Sequence, residues 1–191
     1  MDIQLSTQQI CEAVYTSMRT IISLEQVIRF WHNLGLIVRE QLELKKGIRL
    51  ENFGSFSFDI MGEPCFNIST EFKRSYKVSQ VLIPTHDNTP ISKINFAQLS
   101  QVTGIERNIV EKLYAKFISV FGSGVRTGQN ALLTIHRVAE IFVNNDCVKC
   151  AFMNDFVDAL STNKSSKLIK KNVINNNNNN NNNNGAINNV Q

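Results

Sequence analysis

The chain lacks any apolar stretch approaching the length that spans a bilayer, and no membrane partner is expected. It also lacks an excess of charge where a fold would sit. The formal charge of +4 comes from Lys164, Lys167, Lys170 and Lys171, and no acidic residue follows Asp158. Without those four lysines, residues 1–160 carry equal numbers of basic and acidic side chains. A duplex-binding protein concentrates cations to displace counterions, so this neutrality argues against DNA as the principal partner. Met1-Asp2-Ile3-Gln4-Leu5 has no basic segment followed by an apolar run, so no signal peptide is expected. The four cysteines then read as reduced thiols of an intracellular, cytoplasmic protein. Asn67-Ile68-Ser69 matches a glycosylation sequon and is read as incidental.

Catalytic and metal-binding signatures are missing as well. Cys147 and Cys150 have thiolate spacing but no second ligand pair nearby, and residues three apart on a strand face opposite ways. His32, His86 and His136 are scattered along the chain, and none lies in a recognisable order with an acid and a nucleophile. Gly122-Ser123-Gly124 lacks the Lys and Ser/Thr of a phosphate loop and reads as a helix stop. The expectation is a protein that is not an enzyme, with no cofactor, metal or small-molecule substrate.

What is present is periodic. The 42% apolar content, with 12 Phe, is enough for packed cores. Ile10, Val14, Met18 and Ile21–Ile22 have helical spacing behind Ser6 and Gln9, which are placed for a capping box. Ser23 and Gln26 repeat that start ahead of Val27, Trp31, Leu34, Val38 and Leu42, a stripe read as core. This second helix is expected to end near Lys45-Lys46, with Gly47 closing it in the left-handed conformation and the lysines suiting the helix dipole. Ile48 and Leu50 then alternate with polar neighbours, as do Phe56, Phe58 and Ile60. Phe53 adds apolar area, and Gly54 permits a bend or a close backbone approach. Met61 to Pro64 reads as a turn, with Pro64 a turn or edge proline, and Cys65, Phe66 and Ile68 begin a return strand. Thr70 to Lys77 is a short helix or an edge segment. Ile83 to Pro90 reads as a linker.

The pattern then restarts. Phe96, Leu99 and Val102 precede a stop at Thr103-Gly104. Ile109, Val110, Leu113, Phe117, Val120 and Phe121 form a longer helical stripe. Leu132 to Ile135, Val138 to Val143 and Val148 to Met153 read as strands, and Asn154 is placed to cap a last helix with Phe156, Val157 and Leu160. From Ser161 onward the chain is Ser-, Thr-, Asn- and Lys-rich, with an unbroken Asn run at 175–184. Such a segment is expected to be disordered, because it has too little apolar surface to offset its ordering entropy.

Residues 47–56, Gly-Ile-Arg-Leu-Glu-Asn-Phe-Gly-Ser-Phe, resemble the helix-to-strand signature of the HU/IHF fold, carried by Gly47, Ile48, Leu50, Phe53, Gly54 and Phe56. Thr103 and Gly104 resemble the Thr-Gly between the first two helices of that fold. Ile135-His136-Arg137 stands where its Gly-Phe-Gly would be expected, so the second copy reads as divergent. Gly35 to Gly47, Pro64 to Phe72, Ile94 to Leu99 and Val148 to Leu160 together resemble the tandem HU-like domains of the coiled-coil domain-containing protein 81 family. The resemblance implies an α+β fold of two HU-like domains, each two helices and a bent β hairpin. They are expected at residues 1–85 and 91–160, with a linker at 86–90 and a tail from 161 to 191. HU folds are normally dimers, so the tandem is expected to pair with itself as an intramolecular pseudo-dimer.

The resemblance also implies a scaffold or protein-interaction role at the centrosome or microtubule organising centre, with partners of unknown identity. Bacterial HU and IHF grip DNA with a long basic arm. Neither Met61–Pro64 nor Asn144–Asp146 leaves room for one. The alternative is a divergent nucleic-acid-binding protein that uses Phe72, Lys73, Arg74, Tyr76 and Lys77 for phosphate contact and base stacking. That cluster is more often a solvated face with its aromatics packed inward.

Overall fold

The computed structural model describes residues 4–162. Of the tail expected to be disordered from Ser161 onward, Ser161 and Thr162 are instead helical, continuing the helix that begins at 154, and the rest lies outside the described residues. Among the described residues, those up to Met153 form one compact unit, and residues 154–162 belong to a second.

The first half begins with a two-residue strand β1 (Leu5–Ser6) and helix α1 (Thr7–Met18). Ser6 Oγ accepts the Gln9 N–H, and Gln9 Oε1 accepts the Ser6 N–H, closing the expected capping box. Helix α2 (Leu24–Glu43) starts behind an identical box of Ser23 and Gln26. Strands β2 (Gly47–Leu50), β3 (Gly54–Phe58) and β4 (Pro64–Ile68) form an antiparallel meander, followed by helix α3 (Thr70–Tyr76). The second half repeats the order: β5 (Ile91–Lys93), α4 (Phe96–Thr103), α5 (Arg107–Arg126), β6 (Ala131–Ile135), β7 (Ala139–Asn144) and β8 (Cys147–Phe152). Within the second unit, residues 154–162 are helical and bury Phe156 and Leu160. Asn154 is inside that helix rather than before it, a difference of one residue at a boundary.

The halves complete each other. Strand β5 leaves its own half and pairs in parallel with β2, giving the order β4-β3-β2-β5. Strand β1 does the same on β6, giving β1-β6-β7-β8. Helix α1 packs on α5, and α2 on α4. At the centre the Trp31 ring stacks on Phe117, with centroids 3.7 Å apart and planes 6° from parallel. The pairing that HU obtains from two chains is made here within one.

The expected boundary at 86–90 cuts through bonded structure. Pro90 O accepts the Gly47 N–H, His86 N–H donates to Phe58 O, and the Asn67 amide exchanges two hydrogen bonds with the Ile83 backbone. Gln80 caps the β4 edge at Phe66 O and Ile68 N–H. Ser79 pairs with β8 at Cys147. The connecting segment thus covers strand edges that would otherwise invite another chain.

Two glycine expectations need correction. Gly47 is not the left-handed helix closer. Lys45 holds that conformation, at φ 58°, and α2 ends at Glu43, so the lysines lie beyond its last turn. Gly47 begins β2, where a Cβ would come within 2.9 Å of Ile91 and 3.0 Å of Phe56 O. Gly122 and Gly124 do not stop a helix, because α5 runs on to Arg126. They are small because the Tyr76 ring and Leu5 press on the helix there. Gly54 serves a close approach, with an added Cβ 2.6 Å from the Phe66 ring and 2.7 Å from Asn67 O. Gly104 does end α4 in the left-handed region, at φ 68°.

Candidate interaction surfaces

Equivalent helices put equivalent side chains at the joint between the halves. Leu24 and Arg107 open α2 and α5. One turn on stand Ile28 and Glu111, and two turns on stand Trp31 and Tyr114. Opposite them lie the equivalent β-turns, Glu51-Asn52-Phe53 and His136-Arg137-Val138. Asn52 and Arg137 take the same left-handed conformation, at φ 56° and 57°, and Phe53 and Val138 donate to Leu50 O and Ile135 O respectively. The segment Ile135-His136-Arg137, unlike the family motif in sequence, therefore repeats its backbone.

Each joint leaves a groove. The first, about 880 Å³, is charged. Arg107 pairs with Glu111 at 2.8 Å and Lys93 with Glu51 at 3.6 Å, all four largely exposed to water. Tyr114 Oη donates to Glu51 O at 2.7 Å, and burial pushes its phenol far above the ordinary value. The second groove, about 350 Å³, is mostly apolar and is lined by Leu24, Ile28, Trp31 and Cys11. Trp31 Nε1 donates to Thr134 O at 2.9 Å. Here the His32 and His136 rings stack, with centroids 3.7 Å apart. Arg39 approaches as well, donating to Arg137 O at 3.0 Å.

His136 is expected to make stability depend on pH. Burial, His32, Arg137 and Arg39 all hold the His136 imidazole below its ordinary value. The unfolded chain therefore takes up this proton first as pH falls. Stability present above about pH 6.5 is lost as pH drops through the folded value. Urea unfolding between about pH 7.5 and 5 is expected to show that decline, with a shallower slope in His136→Asn. An unchanged slope in the variant would remove His136 as its cause.

Among the residues singled out from sequence, Ile48, Leu50, Phe53, Phe56 and Thr103 are buried. Phe53 meets Phe66, Phe72 and Phe121, so it packs into both halves. The polyanion cluster does not assemble as a stacking site. Phe72 is buried against Phe53 and Phe121, and the Tyr76 ring lies against Gly122. Arg74 and Lys77 are exposed, while Lys73 Nζ donates to Gln80 O at 3.1 Å. Cys147 is exposed and Cys150 half-buried on β8, with burial pushing the Cys150 thiol up to about 12. Cys11 and Cys65 are likewise buried and pushed up to about 11, which disfavours the reactive thiolate. Sequence reasoning missed both grooves and the histidine pair, whose residues are about a hundred positions apart.

Two family models match the chain in tandem. CCDC81 eukaryotic HU domain 1 covers residues 6–80, and CCDC81 eukaryotic HU domain 2 covers residues 90–164.

Proposed function

This chain belongs to the CCDC81 family of tandem eukaryotic HU domains, and we propose that it is a non-catalytic protein-binding module acting in the cytoplasm, with the centrosome or microtubule organising centre as its implied address. One observation carries the reading: both hairpins close at their tips. The first closes in the turn Asp59–Glu63, where Asp59 Oδ1 accepts the N–H groups of Met61 and Glu63. The second closes in the two-residue turn Asn145-Asp146, both at positive φ. A strand pair this short cannot follow a duplex groove as a long arm does. The two grooves and the hairpin tips are then the surfaces on which a protein partner would settle.

Nucleic acid is the second reading, favoured by exposed Arg74 and Lys77 on and beside α3. The test is a titration of the full chain into labelled duplex and single-stranded DNA at low salt and at about 150 mM. Binding is expected only at low salt, where the tail lysines add weak attraction to any polyanion. Binding that survives about 150 mM salt and is lost in the triple variant Lys73→Ala, Arg74→Ala, Lys77→Ala would reverse the ranking.

A further inference from the structure

Leu132 and Gly47 hold equivalent places in the two sheets. Each stands three residues before the acceptor of its turn bond, Ile135 O in one half and Leu50 O in the other. Strand β1 meets Leu132 at Ser6, and β5 meets Gly47 at Ile91. Five residues on from Ser6 and Ile91 are Cys11 and Phe96. The buried stripes of α1 and α4 then continue in step, Val14 matching Leu99 and Met18 matching Thr103. Cys11 therefore stands in the apolar groove where the charged groove has Phe96.

That exchange changes what lies against the central aromatic residue. Phe96 packs on Tyr114, with ring centroids 5.3 Å apart and planes tilted by 57°. Trp31, the counterpart of Tyr114, shares its groove with the much smaller Cys11, and about 350 Å³ stays open beside them. The rim changes in the same sense. Arg107 and Glu111 are ion-paired over the first groove, and Leu24 and Ile28 replace them over the second, with Ile28 49% exposed. Of the residues lining the second groove, Glu12 alone carries a formal charge. An apolar rim around a pocket of this size marks an interaction site whose occupant is selected by shape more than by charge.

The chain has no ring of its own to place there from outside. Every Phe, Tyr and Trp among the described residues is buried or half-buried. Residues 1–3 and 163–191 contain none. A second copy and the tail are thereby both poor sources of the occupant. We infer that the apolar groove receives an aromatic side chain of another protein, seated against Trp31 beside Cys11 and Ile28 as Phe96 is seated against Tyr114. This rests on the protein-binding reading above and gives it a surface and an anchor residue. Aromatic anchors in closed pockets carry a large share of interface energy.

The test selects short random peptides displayed on phage against the full chain, then titrates the strongest into the isotope-labelled chain. Trp31 is the one tryptophan, so its indole N–H resonance reports on the groove without overlap. The selected peptides are expected to share an aromatic residue at one position, and the titration to shift the indole and the amides of 7–12 and 134–136. Replacing that aromatic by Ala in the peptide should weaken binding at least about tenfold, the loss of one interface anchor. Cys11→Phe supplies the ring from within, so it should abolish binding and melt at or above the parent temperature. Leu24→Arg with Ile28→Glu gives this rim the ion pair of the other and should weaken the peptide at least about tenfold. Selected peptides with no shared aromatic, shifts confined to other surfaces, or a Cys11→Phe variant that melts well below the parent would overturn this groove while leaving a protein-binding module intact. N-acetylphenylalanine amide binding as tightly as the selected peptide would overturn it in favour of a small aromatic ligand. Indole shifts that grow with the concentration of the chain alone would do so in favour of a second copy. Duplex binding at about 150 mM salt would instead sink the parent reading.

Discussion

Cut between His86 and Pro90, the chain is expected to yield two fragments that are each largely unfolded alone and that fold when mixed. Strand β1 completes the sheet of the second half, and β5 that of the first, so each fragment would carry a strand with nothing to pair it. Each would also expose the side chains that the other half covers. Trp31 would lose its stack on Phe117 and its hydrogen bond to Thr134 O. Tyr114 would lose Glu51 O. A fragment of that size buries only about 60% of its surface even when complete, and removing its partner face leaves too little to offset chain entropy. Circular dichroism and amide dispersion of each fragment and of the mixture would measure this. The mixture should regain the parent spectrum with a midpoint that rises with concentration. A cooperative melt from either fragment alone would show that the halves are independent domains.

Phe53→Ala is expected to cost about 3–5 kcal/mol, the range for deleting a fully buried aromatic ring. Phe53 is fully buried, and its ring meets Phe66 and Phe72 of its own half and Phe121 of the other. The cavity would therefore open at the seam, where the rings around it are held from several directions and cannot collapse inward. For about 150 folded residues this corresponds to a melting temperature lower by roughly 10 °C. Phe96, half-buried and packed against Tyr114, supplies the contrast. Phe96→Ala should cost closer to about 1 kcal/mol, because partial exposure leaves less apolar area to lose. Denaturant unfolding of both variants would decide it. Equal losses would mean that Phe53 does not join the halves energetically.

Much of the fold was legible because its signals are local. The Ser6–Gln9 and Ser23–Gln26 boxes mark where the first two helices begin, since each box satisfies backbone N–H groups within its own turn. The stripe from Val27 to Leu42 reports burial on one face at helical period. The Thr103-Gly104 stop needs only one residue's backbone freedom. The short hairpins follow from counting residues between strands, and with them goes the expectation that a long arm is absent.

Two glycine readings failed because the reason for the glycine was tertiary. Gly47 is small for Ile91 and Phe56 O, and Gly122 for the Tyr76 ring. Neither neighbour can be inferred from the residues beside the glycine. The histidine pair is of the same kind. His32 and His136 become neighbours only because the β6–β7 turn of one half lands on the α2 helix of the other, against Gly35, where an added Cβ would sit 2.7 Å from His136 N. The charged and apolar grooves, equivalent in backbone and opposite in character, are likewise a product of that pairing.

By itself, then, the sequence determined the longer helices and the hairpin strands, their order, the two HU-like units and the lack of arm length, because period, capping and turn chemistry act over a few residues. The tertiary structure alone decided the strand exchange, the closed seam and the histidine stack. Each of these depends on which distant surfaces meet, and so on packing summed over the whole chain.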